Sequence, residues 1–244
     1  MRGLGESCLR QIKENGRLRA LIVVALIADL VFFVLHAGHV LAGGRYDPGD
    51  RLLAAGLKQR DFSIIKDGSY AEIFEYLLLA IIVVALARLA LTLRRPVYFA
   101  FLFIFFYYLA DDSLQIHETV GAYLTRTLDF QAFLSLRAQD LGELSTWALF
   151  GVPLLGFLAF ALWRSTGLDR SVGLTLTGWF LLLAFFGGII DMVTTSLRGT
   201  GLLFKFVAFV EDAGEMLVVT AILALTLSIP RFLRQGETGG DDQS

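Results

Sequence analysis

The sequence predicts an all-α polytopic transmembrane bundle of about six spans, with both termini cytoplasmic. Its 244 residues are 56% hydrophobic and only 18% charged, and its mean hydropathy is +0.66. That is more apolar than a soluble domain, and the charges are too few to cover a water-facing surface. Six apolar stretches approach the ~20 residues that cross a ~30 Å hydrocarbon core. Basic residues gather in alternate connections, as the positive-inside rule asks. The net charge of −2 and the absence of a basic run give no sign of a nucleic-acid partner. The single cysteine, Cys8, excludes an intrachain disulfide and a cysteine-based metal site.

Residues 1–19 read as a cytoplasmic N-terminal tail carrying Arg2, Arg10, Lys13, Arg17 and Arg19. The first span runs over 20–43, longer than the ~7–15 apolar residues of a signal peptide, and is expected to stay uncleaved. Spans follow at 71–93, 96–120, 143–165, 171–195 and 203–229, all within a domain of residues 20–230. Arg94 and Arg95 fill the tight turn after the second span, Arg164 and Arg170 flank the next turn on that side, and Arg231 and Arg234 follow the last span. Pro153 predicts a kink in the fourth span, tolerable where neighbouring helices satisfy the freed carbonyl. Gly178, Gly187 and Gly188 let neighbouring helices approach the fifth. Two outer connections, 44–70 and 121–142, mix apolar and charged residues; each is expected either to lie in the membrane interface or to form an ordered loop. Residues 231–244 read as a disordered cytoplasmic tail.

Three apolar runs are too short to span unless they carry acids with them. Tyr76–Ala87 follows Glu72 and Glu75, Pro96–Ala110 leads into Asp111 and Asp112, and Met216–Pro230 follows Glu211, Asp212 and Glu215. Counting about 20 residues from each cytoplasmic end places His36, His39, Glu75, Asp111, Asp112, Asp191, Glu211, Asp212 and Glu215 at one level in the outer leaflet. Glu72, His117 and Glu118 lie slightly beyond. Ionisable groups inside a membrane are costly and mark function by default. Helical periodicity puts Glu211 and Glu215 on one face, and Asp29, His36 and His39 on one side of the first span. Asp29 falls near mid-membrane, where a lone acid is more often protonated and hydrogen-bonded than a ligand.

Carboxylates and imidazoles facing each other inside a helical bundle are a ligand set for a divalent metal, here zinc, iron or manganese. His36, His39, Glu75, Asp111, Glu211 and Glu215 are the candidate ligands; Asp112, Asp212 and Glu118 are candidate catalytic residues, as general base or orienting groups. Such a site would hydrolyse a lipid-phase or periplasmic substrate. One alternative is a cation- or proton-coupled transporter or channel; another is a non-catalytic membrane subunit whose acids pair with headgroups, Arg45, Arg126, Arg198 or Lys205. Membrane lipids are the expected surroundings in every case.

The run Asp111-Asp112-x4-His117-Glu118, together with Glu211-Asp212-x2-Glu215 on the last span, resembles a group of uncharacterised bacterial six-helix membrane proteins. Phe62–Gly68 before the second span is similar to a short outer segment in that group. The resemblance covers roughly residues 60–120 and 205–225. It implies a bacterial inner-membrane setting and brings no activity with it. Alkaline-ceramidase-like hydrolases match poorly, since the last span here lacks their His-x3-His pair. Retinal proteins match less well still, because Lys205 sits at a helix end.

Overall fold

The computed structural model describes residues 4–41, 60–66, 68–133 and 136–238. Residues 42–59, most of the first outer connection, and the end of the tail, 239–244, lie outside the described residues; a short helical turn covers Arg60–Phe62. Among the described residues every regular element is helical. In chain order these are α1 (Leu4–Glu14), α2 (Gly16–Leu41), α3 (Tyr70–Leu93), α4 (Pro96–Ser113), α5 (Ile116–Thr127) and α6 (Ala138–Arg164). Then come α7 (Gly167–Ala184), a π turn (Phe185–Ile190), α8 (Asp191–Ser196) and α9 (Leu202–Thr238). Five of the helices are long and apolar enough to cross a membrane, with α7, the π turn and α8 counted as one of them. A sixth exists if α4 and α5, bent by 75° at their junction, form one broken span.

The chain divides into two compact units, Met1–Leu78 with Leu176–Ser228, and Leu79–Thr175 with Ile229–Ser244. In the first unit, the expected tail contains a helix. Leu4, Ser7, Cys8 and Gln11 of α1 are buried at a spacing of three and four residues, which is one helical face. Gln11 Nε2 donates to the Ser228 carbonyl over 3.0 Å, fastening that face to α9. Asn15 then starts α2: its Oδ1 accepts from the backbone N–H groups of Arg17 and Leu18 at 3.1 and 3.3 Å, an N-cap. Ile64, Ala71, Ala213 and Met216 form the apolar core beyond, with Phe32, Phe33, Phe74 and Phe209 packed on it.

In the second unit, Pro96 occupies the first turn of α4, where its missing N–H costs nothing. Arg95 and Tyr98 both donate to the buried Asp169 carboxylate, the Tyr98 hydroxyl over 2.7 Å. α4 ends at Ser113, and not near 120 as the third span was expected to, because Gln115 takes a left-handed conformation at φ 50°. α6 begins at Ala138, ahead of the expected 143. A capping box made by Arg137 and Asp140 starts it, with the Arg137 N–H donating to Asp140 Oδ2 over 2.7 Å. α5 folds back on α6 through glycines: a Cβ on Gly121 would come within 2.8 Å of the Glu143 nitrogen. α9 continues through Thr238, so the expected disordered tail begins as helix.

Candidate functional site

The expected layer divides between the two units. His36, His39, Glu75, Glu211, Asp212 and Glu215 belong to the first; Asp111, Asp112 and Glu118 belong to the second. Among the described residues no group of three or more His, Cys, Asp or Glu side chains could hold a metal ion.

Asp111 is the most elaborated acid of the second unit. Its Oδ1 accepts from the His117 backbone N–H at 2.9 Å and from the Tyr107 hydroxyl at 3.3 Å. Its Oδ2 lies 3.1 Å from His117 Nδ1 and accepts from Trp147 Nε1 at 3.1 Å. A carboxylate has about four lone-pair sites; three donors and the His117 ring nitrogen surround this one. This arrangement spans the break between α4 and α5, since Asp111 ends one helix and His117 opens the other. The His117 ring packs against Trp147 at 5.5 Å between centroids. Glu118 is exposed and Asp112 half-buried. Trp147, Gly121 and Gly142 carried no local signal in the sequence, because each matters only through a partner far along the chain.

In the first unit, His36 is 2% exposed. Its Nδ1 lies 3.4 Å from the Ser63 hydroxyl, and its ring stacks on Phe209 at 5.6 Å. His39 and Lys205 are its electrostatic neighbours. Glu75 is buried, whereas Asp212 and Glu215 are half-buried.

Glu211 sits in a different kind of site. The π turn at Phe185–Ile190 contains Gly187 and Gly188, whose low helix propensity favours a break there. Phe186 of this turn packs on Gly214 of α9, where a Cβ would lie 2.7 Å from its Cγ. Just past the turn, Asp191 and Arg198 are electrostatic neighbours of Glu211. Thr194 Oγ1 lies 2.5 Å from Glu211 Oε2 and 3.0 Å from the Ile190 carbonyl. A hydroxyl carries a single proton. It serves the Ile190 carbonyl, the usual bond of a helical threonine, or Glu211, or is divided between them. Two acids thus lie beside a π turn in an otherwise apolar helix. π turns recur at functional sites.

No curated protein and no solved structure matches the chain. Over residues 24–229 it matches the family described as Domain of unknown function (DUF8692), and the chain belongs to that family.

Proposed function

We propose that this chain is an integral protein of the bacterial inner membrane, both termini cytoplasmic, that binds and passes protons at the Asp191–Glu211 carboxyl pair. The orientation rests on the arginines at 94, 95, 164, 170, 231 and 234, which fall on one side of a six-span path. The observation that carries the function is a pair of neighbouring carboxyl groups, Asp191 and Glu211, with the Thr194 hydroxyl on the second, beside the π turn. Two acids in contact bind and release a proton as one coupled unit. The class supported is a proton- or cation-coupled transporter or channel.

Metal-dependent hydrolysis ranks second, because among the described residues no three His, Cys, Asp or Glu side chains are grouped so as to hold a metal ion. Reconstitution into liposomes loaded with a pH-sensitive dye tests the proposal. An imposed pH gradient should collapse faster with the wild-type protein than with Glu211→Gln. Equal rates would refute the assignment.

A further inference from the structure

A second acid, deeper in the same unit, has no role in the site just described. Asp29 lies near the middle of α2 and is 1% exposed. Its Oδ2 accepts from the Thr220 hydroxyl of α9 at 2.9 Å. Its Oδ1 is buried and has no hydrogen-bond partner among the described residues. No charged side chain is among its electrostatic neighbours there; from α9 the Thr220 hydroxyl is the group bonded to it. On its own helix the nearest titratable group on that face is His36, about two turns or ~10 Å along the axis.

Each part of this arrangement points to a bound proton. A lone carboxylate without a cation is expensive in an apolar interior, and more so within a bilayer. The neutral acid keeps the Thr220 bond on one oxygen and places its O–H on the other, which is the atom left without a partner. A permanently neutral structural acid would gain by giving that O–H an acceptor, and here it has none among the described residues. We propose that Asp29 is a second proton-binding site, which takes up and gives up a proton between its Oδ1 and water. Thr220 holds the other carboxyl oxygen in place throughout. The step balances as one O–H bond broken on hydronium and one formed on the carboxylate, and the reverse on release. This inference rests on the proton-binding reading of the chain, although its own site is independent of Glu211.

Infrared spectroscopy of the full chain in lipid tests it. The wild-type protein should show a carbonyl band of a protonated carboxylic acid that is lost in Asp29→Asn and fades reversibly as pH is raised. Asn is close to the neutral acid in shape and accepts the same Thr220 bond, so the variant should fold. If it does not, Thr220→Val keeps the acid and removes only its hydrogen bond. That variant should move the same band to higher frequency. A band that persists in Asp29→Asn, fails to move in Thr220→Val, or does not respond to pH would overturn the proposal. Glu211→Gln should leave this band in place, so a failure of the Asp191–Glu211 reading is seen separately, in the liposome flux.

Discussion

Trp147 donates its indole N–H to Asp111 Oδ2 over 3.1 Å, onto the same oxygen that His117 Nδ1 approaches at 3.1 Å. One acid thereby ties α6 to both sides of the break between α4 and α5. Truncation should act on stability before it acts on transport. Trp147→Phe removes one charge-assisted bond and should cost about 1–3 kcal/mol. Asp111→Ala, which strands several donors at once, should cost more. Thermal unfolding in detergent gives both values, and an unchanged melting temperature in Asp111→Ala would argue against an anchoring role.

The α5–α6 contact supplies a sharper packing test. A Cβ at Gly142 would meet the Gly121 carbonyl oxygen and Thr125 Oγ1, whereas a Cβ at Gly151 on the same helix meets nothing within 4 Å. Gly142→Ala should destabilise by about 1–3 kcal/mol through overpacking. Gly151→Ala should be neutral or stabilising by up to ~1 kcal/mol through helix propensity. The opposite order in unfolding experiments would mean that the two helices do not pack as described.

How much of this was legible in the sequence differs from element to element. The helix over 71–93 was readable because a long apolar run ends in Arg94 and Arg95, whereas the end expected near 229 was misplaced, because α9 continues past Pro230 to Thr238. The start of α6 was not readable, since Asp140 looks like an outer-loop charge until Arg137 is seen to cap the helix with it. The α1 face was obscured because Ser7 and Gln11 are polar residues that bury only by finding Ser228 and one another. The acids of the layer were identified by depth. Depth alone does not say which pair meets: Glu211 pairs with Asp191, whereas Asp111 is surrounded by donors from distant positions. Glu143 accepts from Gln139 at 2.9 Å and is an electrostatic neighbour of His117, the latter a relationship between residues too far apart in the chain to be read locally.

Orientation has its own test. Thr200 and Thr92 are both exposed, one between α8 and α9 and the other near the end of α3. With cytoplasmic termini, a cysteine at Thr200 should react with an impermeant thiol reagent on intact cells, and one at Thr92 should react only after lysis. Buried Cys8 should contribute little background. Labelling in the reverse order would turn the whole path over.

Metal content separates the two leading functional readings. Elemental analysis of detergent-purified protein should find no stoichiometric zinc, iron or manganese that depends on Glu211. A full equivalent in the wild type that is lost in Glu211→Ala would restore the hydrolase reading and make Glu211 a ligand.

The most direct measurement is proton flux in dye-loaded liposomes containing wild-type protein, Glu211→Gln, Asp191→Asn or the double variant. If the two carboxyls act as one proton-binding unit, their effects are non-additive. Either single substitution should bring flux to the level of protein-free liposomes, and the double variant should be no slower. Wild-type flux retained in both single variants, with each protein correctly folded, would contradict the account.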